Sequence, residues 1–591
     1  MHLLSSVRIQ NYRSIRDHEF PLSDFAALVG YNNAGKTNIL KAVNWLAKKS
    51  SLDSTCFGNT AEPIIVTATV SGIDEGVLDA LGATHRPKIE PLVADGIIVI
   101  RRTQAEPGAK TADIKLTIRK NDEDGNETWS NPAGIDAAIG HLFPEPILIG
   151  AMENATEDVG KFATGTTIGK LIKEIIGPIT EAHSASVAES LAELTSKLSA
   201  NGEDKDESLV GLDGRIQAEL ANFFPGVTAK THIPTPGIDD FFKGATIKIF
   251  EEGFEYIDGR DAGAFGHGAQ RSIQIALITC LAKIKRETAA AVGRTTLLLI
   301  DEPELYLHPQ AIETVRASLV RLSQEGYQVL FSTHSPLMIS RTAAAKALLI
   351  RRNEADGTHA YPKVEDAVAD AIADAVHQSE VLFALSNSSK FLFSEKVLLA
   401  EGKTEHVLLP DIFALENGAT FEERKAALIA LQGTGDFPNA MRVLRIMGIP
   451  VRAVVDLDFA FKVAPGAGLI PTTHHGIIGC KEIFATMADA GQIVLGQDGL
   501  PTRGNGVSAA TAYAMMAEKA ETAEHIQAIH AELLKGDIWC WTKGAIENHL
   551  DLASKSASAH CAFLDQFGNA NFREALTKYG PVRDMVVWAA N

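Results

Sequence analysis

The chain has 591 residues, room for roughly two to four domains, and its net charge of -19 argues against a protein that coats nucleic acid by bulk charge. No apolar run approaches the length of a membrane span, and Arg8, Arg13 and Arg16 close behind the N-terminus do not suit a signal peptide. Five cysteines form no CxxC pair, which argues against a zinc or disulfide framework and fits a reducing cytoplasm.

Val7–Ile15 alternates as a strand with an aromatic residue and arginines near its end. A second apolar strand, Phe25–Val29, runs into Gly30–Thr37, which spells G-x-x-x-x-G-K-T, and then into an amphipathic helix, Asn38–Lys49. This is a Walker A loop in the setting it needs, between a strand and a helix. Glycines let successive backbone N–H groups curve around phosphate oxygens, and the helix N-terminus adds partial positive charge. Asn33, Gly35, Lys36, Thr37 and Asn38 are the expected ATP contacts, with Lys36 on the β- and γ-phosphates and Thr37 on magnesium. Ile64–Val70, Gly96–Arg101 and Ile114–Arg119 read as strands of an antiparallel region, and Lys120–Asn126 as a polar hairpin turn.

Pro146–Gly150 is another short strand, and from about Gly160 to Leu220 the pattern turns helical. Leu191, Leu194 and Leu198 space one helix, Ser199–Ser208 is an acidic break, and Leu209–Phe224 resumes it. Such an arm serves either dimerisation or cover over a sheet, and it is too short for a long coiled coil. Ala262–Ser272 is glycine-rich and leads into the apolar helix Ile273–Ile284. Between a Walker A loop and a later Asp-Glu strand it reads as an ABC-type signature loop. Gly266, Gly268 and Gln270 are its remnants of the common LSGGQ form, expected to cap a γ-phosphate held by the opposite subunit.

Leu297–Ile300 is a buried strand ending in Asp301 and Glu302. Asp301 would hold magnesium and Glu302 would orient or deprotonate the attacking water, with Glu304–Pro309 as the D-loop. Tyr327–Pro336 is a strand ending in His334, the switch position that senses the γ-phosphate.

Val364–Asn387 reads as a helical link to a second α/β unit. There Phe393–Ala400 ends in Glu401, and Glu405 lies one helical turn onward, on the same side. Further on, Gly448–Asp458 reads as another buried strand, ending in Asp456–Leu457–Asp458; alternation along a strand would project both aspartates together. Carboxylates gathered at two parallel strand tips repel unless a metal sits between them, and an all-oxygen site suits magnesium or manganese. Glu on one tip and Asp-x-Asp on another is a Toprim-like pattern. Asp537–Leu550 forms a third strand and turn, with Glu547 as a further metal ligand and Lys543 and Lys578 as candidate transition-state cations.

Taken together, Gly30–Thr37, Gly266–Gln270, Leu297–Pro309, Ser332–Pro336, Leu392–Gly402, Gly433–Gly435, Val454–Asp458 and Gly544–Leu550 resemble the OLD (overcoming lysogenisation defect) family. The resemblance implies an α/β chain: an ABC-type P-loop ATPase with a helical dimerisation insert, followed by a Rossmann-like Toprim domain. The expected divisions are 1–160 and 226–385 for the two ATPase parts, 161–225 for the insert and 386–591 for the nuclease domain. It implies an ATP-binding DNA endonuclease that nicks or cuts duplex DNA with Mg²⁺ or Mn²⁺, with Ca²⁺ as a non-catalytic occupant, in phage defence or repair. It implies a homodimer or higher homo-oligomer through the ATPase half, a possible helicase partner and no membrane. Leu576–Tyr579 resembles the place where Gabija-type OLD nucleases carry a catalytic lysine, which favours Lys578 over Lys543. One departure stands out: Ala545–Ile546–Glu547 replaces the family's frequent Asp-Leu-Glu. The rival readings are a non-nucleolytic RecF- or SMC-like repair ATPase, an ATP-gated binding switch, and a strand-joining topoisomerase using Tyr513 or Tyr579.

Overall fold

The computed structural model describes residues 2–121, 127–143, 146–151, 185–223, 227–235, 247–251, 253, 258–287, 295–373, 389–431, 433–552, 554–568 and 579–591. Among its strands and helices are, in chain order, β1 (Leu3–Tyr12), β2 (Ile15–Pro21), β3 (Phe25–Gly30), α1 (Lys36–Ala47), β4 (Ile64–Ser71), β5 (Ile98–Gln104), β6 (Lys115–Asn121), β7 (Glu127–Ser130) and β8 (Ile147–Ile149). There follow α2 (Glu207–Phe223), α3 (His267–Glu287), β9 (Thr296–Asp301), α4 (Pro309–Gln324), β10 (Tyr327–Thr333), β11 (Leu348–Asn353) and β12 (Gly357–Ala360). The C-terminal part holds β13 (Lys396–Ala400), α5 (Lys403–Asn417), β14 (Ala426–Ala430), α6 (Phe437–Ile446), β15 (Val451–Val455), α7 (Phe459–Lys462), β16 (Ile538–Cys540), α8 (Ile546–His549), α9 (Ala557–Leu564) and α10 (Gly580–Ala590).

The chain divides into two compact units. One holds residues 1–7, 40–54 and 63–331; the other holds 8–39, 55–62 and 332–591. In the first unit β4, β5, β6 and β7 pair antiparallel in sequence order. β4 alternates buried and half-buried residues, as a strand with one covered face does. β9 pairs parallel with β8, and every residue of β9 is buried. That continuous apolar run is what a parallel strand covered on both faces requires.

In the second unit β3 pairs parallel with β11, β11 antiparallel with β12, and β12 antiparallel with β2. The same unit contains a parallel four-stranded sheet in the order β14-β13-β15-β16. Its core includes Leu398, Leu408, Phe413, Val454, Trp541 and Val586, contributed by the sheet, α5 and α10. Because the strands are parallel, their C-terminal ends share one edge, where open α/β sheets bind ligands. Glu401 follows β13 and Asp456 follows β15 at that edge.

Three local expectations change. The first strand stops at Tyr12, because Arg13 takes a left-handed φ of 53° and turns the chain into β2. The aspartate pair is not on a strand: β15 ends at Val455, and Asp458 caps α7 in helical conformation. Strand alternation therefore does not aim these two side chains. Gly268 and Gln270 lie in the first turn of α3 rather than in a loop before it. Residues 122–126, most of the helical arm's first part and most of the 364–387 link lie outside the described residues, though α2 and a helix over 185–198 match the arm's second part.

Candidate functional site

The Walker A segment is built as its spacing demands. Asn33 and Gly35 have φ of 65° and 103°, which bends the loop toward its own helix. A Cβ at Gly35 would lie 2.3 Å from Thr358 Oγ1, so β12 closes against the loop. Thr358 Oγ1 also donates to Ala34 O at 2.8 Å. Lys36 is only 5% exposed, and its ammonium donates to Gly30 O at 3.0 Å and Tyr31 O at 2.9 Å. It also lies 2.8 Å from His334 Nε2, which must act as acceptor there. Asn38 Nδ2 donates to Ser14 Oγ, tying α1 to the turn after β1. Beside Asn33 opens a cavity of about 1130 Å³ lined by Arg13, Arg16 and Arg352 with Glu62 and Glu354 among others, a polar setting with a small excess of cations. Tyr31 of the same loop carries the Arg351 guanidinium 4.0 Å above its ring, and Arg351 Nη2 donates to Ser394 O just before β13.

In the other unit, Asp301 ends β9 and Glu302 follows with φ 48°, a strained conformation for a non-glycine residue. Arg271, buried in α3, holds both carbonyls, its Nη2 donating to Asp301 O at 3.0 Å and Glu302 O at 3.2 Å. Gly268 is required there, since a Cβ would sit 2.7 Å from Tyr306 O in the expected D-loop. Gln270 Nε2 donates to Phe265 O, so its amide braces the turn before α3.

The C-terminal carboxylates come together at the shared edge of the parallel sheet. Glu401 Oε2 accepts from the Asp456 N–H at 3.1 Å, which ties the tips of β13 and β15. Glu405 is buried on the first turn of α5 and curls back: a Cβ on Gly402 would meet its Oε2 at 2.8 Å. Glycine at 402 is thus what lets Glu405 face the strand tip. Asp458 Oδ2 pairs with Lys462 at 2.8 Å. Gly544 O accepts from the Leu457 N–H, which brings the β16 turn, with Glu547 in α8, to the same edge. Thr404 Oγ1 donates to Glu547 Oε1 at 2.6 Å.

One cation was not foreseen. Lys555 Nζ lies 3.3 Å from Glu547 Oε1 and 3.8 Å from Asp456 Oδ2. The only sequence signal for it is a lysine soon after the Gly544–Leu550 turn. Lys578 lies outside the described residues. Lys543 is held through its main chain, its N–H donating to His549 Nε2 and its carbonyl accepting from Asn548. Tyr513 is fully buried against Phe461 and Phe484, and burial pushes its phenol up, so it is a poor nucleophile.

The electrostatics match a gathering of negative charge. Burial, then the neighbouring Glu547 and Glu401, push the Glu405 carboxyl up to about 7. Burial, then Glu405 and Glu401, push Asp456 well above the carboxylate range, and burial raises Glu401. Lys555 loses to burial but gains more from Asp456 and Glu547, and its ammonium is held charged. Among the described residues no three His, Cys, Asp or Glu side chains close into a ready-made metal cage. Magnesium does not need one, because it keeps waters and takes substrate phosphate oxygens beside one or two carboxylates. The donor set fits such an ion: all are hard oxygens, and the buried atoms Asp458 Oδ1 and Glu547 Oε2 have no partner among the described residues.

A family model for the overcoming lysogenization defect protein-like TOPRIM domain matches residues 392–458, which run from before β13 through both aspartates. An AAA ATPase domain model matches residues 3–128, and a model described as AAA domain, putative AbiEii toxin, type IV TA system matches residues 172–340. Across 599 aligned residues, 99% of each chain, the protein is 36% identical to the Old nuclease of Escherichia phage P2. The chain belongs to the OLD nuclease family. The OLD nuclease of Thermus scotoductus (strain ATCC 700910 / SA-01) is 22% identical over 483 residues, 77% of this chain and 82% of that one. A crystal structure of an SMC head bound to the C-winged helix domain of ScpA covers 62% of this chain and 99% of its own at 16% identity, with a TM-score of 0.36, too loose a likeness to argue from. This OLD nuclease thus joins an ATPase domain to a Toprim domain in an α/β chain, as expected. Its described residues contain no helix long and apolar enough to cross a membrane.

The charge cluster predicts a pH effect on the metal-free protein. An unfolded glutamate loses its proton near 4.5, while folded Glu405 keeps it to about 7. The folded state binds more protons in that window, so this group's stabilisation is lost as pH rises through it. The melting temperature of metal-free protein should fall between about pH 5 and 8, and Glu405→Gln should flatten that fall. Thermal melts across this range check it; an equal slope in both proteins would contradict it.

Proposed function

We propose that this OLD nuclease is a divalent-metal-dependent DNA endonuclease that nicks or cleaves duplex DNA at Glu401, Glu405, Asp456, Asp458 and Glu547. The observation that carries this reading is the crowding of half-buried and buried carboxylates at parallel strand tips, where burial and like charge make Glu405, Asp456 and Glu401 hold their protons abnormally tightly. Such a cluster becomes stable when added positive charge displaces those protons. Magnesium or manganese is the working ion, with calcium able to occupy the same oxygens without supporting cutting. A metal pair bound there supplies Lewis-acid stabilisation of the phosphodiester and its leaving oxygen.

The chain's own part is to hold the ligands and add a cation. The Asp456 N–H fixes Glu401, Thr404 fixes Glu547, and Gly402 leaves room for Glu405. Lys555 would face the non-bridging oxygens as negative charge grows on them. Lys578 keeps the support of the family resemblance for the same role.

At the ATPase domain, Asn33, Gly35, Lys36, Thr37 and Asn38 would hold ATP, with the neighbouring cavity for its remaining polar parts. Asp301 would take magnesium and Glu302 the water, and Gly268 and Gln270 would form the cap expected of a signature loop. A γ-phosphate on Lys36 would part it from His334, which makes the histidine a sensor. Homodimerisation through the ATPase half, a helicase partner, a role in phage defence or repair and a cytoplasmic setting complete the reading. The division into 1–160, 161–225, 226–385 and 386–591 belongs to it too.

Supercoiled plasmid incubated with and without Mn²⁺ and ATP tests it. Asp456→Ala should cut at least about 10²-fold more slowly, and Lys36→Ala should lose ATP hydrolysis. Asp456→Ala cutting like wild type would refute the nuclease assignment. Lys555→Ala should slow cutting by roughly 10²-fold while Mn²⁺ still binds. Wild-type cutting by Lys555→Ala together with a dead Lys578→Ala would move the cation role to Lys578.

A further inference from the structure

Behind the carboxylates lies a buried polar chain that the cutting chemistry does not itself require. Thr404 is 2% exposed, Glu547 6% and His560 2%. Thr404 Oγ1 is 2.6 Å from Glu547 Oε1 and 3.3 Å from His560 Nε2. Three different helices, α5, α8 and α9, bring these side chains together.

The chemistry of the groups gives the chain a direction. An ionised carboxylate only accepts, so the Thr404 hydroxyl must spend its single proton on Glu547. Its oxygen can then only accept from His560, whose Nε2 must carry a hydrogen. The result differs for the two oxygens of Glu547. Oε1 is engaged by Thr404 and faces Lys555, while Oε2 is buried with no partner among the described residues. A buried polar atom left bare is costly unless something else meets it.

We infer that His560 and Thr404 are positioning residues that lock Glu547 so that it offers a divalent metal one oxygen, Oε2, rather than both. The inference rests on the metal-dependent nuclease reading above. Hydrogen-bonding partners behind a ligand orient it and tune its affinity, and their loss costs about 10–100-fold in metal affinity or activity. Thr404→Val keeps the shape of the side chain and removes the hydroxyl, so Glu547 is free to turn.

Titration calorimetry of nucleotide-free protein with MnCl₂ reads this directly. Thr404→Val should weaken Mn²⁺ binding about 10–100-fold, and Thr404→Ser, which keeps the hydroxyl, should restore it. The half-saturating Mn²⁺ for plasmid cutting should shift by the same factor, while ATP hydrolysis stays near wild type. Wild-type Mn²⁺ affinity in Thr404→Val, or equal weakening in Thr404→Ser, would overturn the inference. If Thr404→Val fails to fold, His560→Phe, which removes the donor at the far end, carries the same expectation and the same refutation. Asp456→Ala separates the two levels. If it still cuts plasmid, the nuclease reading has failed; if it is dead while Thr404→Val binds Mn²⁺ normally, only the positioning role has failed.

Discussion

Repulsion between like charges at the ends of parallel strands is the constraint that orders the C-terminal part of this protein. Parallel pairing of β13, β15 and β16 sends all three strand ends to one edge, and the residues that follow them include Glu401, Asp456 and, after a short turn, Glu547. Two carboxylates about 4 Å apart repel by roughly 4 kcal/mol at an effective dielectric of about 20. The surrounding residues answer that cost. Gly402 clears space, a backbone N–H satisfies Glu401, Thr404 satisfies one oxygen of Glu547, and Lys462 and Lys555 bring positive charge. What these neighbours leave unmet is a demand for positive charge that a divalent metal would fill.

The two chemical centres use the same fold logic with different partners. At the ATPase domain an apolar, fully buried strand also ends in carboxylates, but there the backbone is strained at Glu302 and braced by buried Arg271. The Walker A loop lies in the same compact unit as the Toprim sheet. Within that unit Tyr31 supports Arg351, Arg351 holds the carbonyl of Ser394, and Lys425, which also approaches the Tyr31 ring, pairs with Glu395. The Walker A loop is therefore linked through Arg351 to Ser394, shortly before the strand that leads to Glu401.

Much of this was legible in the sequence, and the reasons are physical. Fully buried parallel strands leave continuous apolar runs, so β3, β9, β10, β13 and β15 could be seen, and the residues at their tips with them. The Walker A loop was legible because its glycines and lysine serve one task at fixed spacing. The Asp-x-Asp geometry is not legible in the sequence because the strand ends at Val455, three residues before Asp458, so helical backbone at the start of α7 rather than pleat alternation aims Asp458. Lys555 and the His560–Thr404 pair could not be read at all. Each depends on α9 folding back over α5, a tertiary contact that no local spacing encodes. Lys578 lies outside the described residues, so the choice of lysine was sharpened only by the appearance of Lys555.

On the proposed reading the carboxylate edge, and not the ATPase centre, holds the metal used for cutting. Equilibrium Mn²⁺ binding followed by electron paramagnetic resonance, in a Lys36→Ala background without nucleotide, tests it most directly. Tight Mn²⁺ binding with the spin coupling of a closely spaced pair is expected, and its loss in the additional Asp456→Asn variant. Unchanged Mn²⁺ binding in that double variant would contradict it.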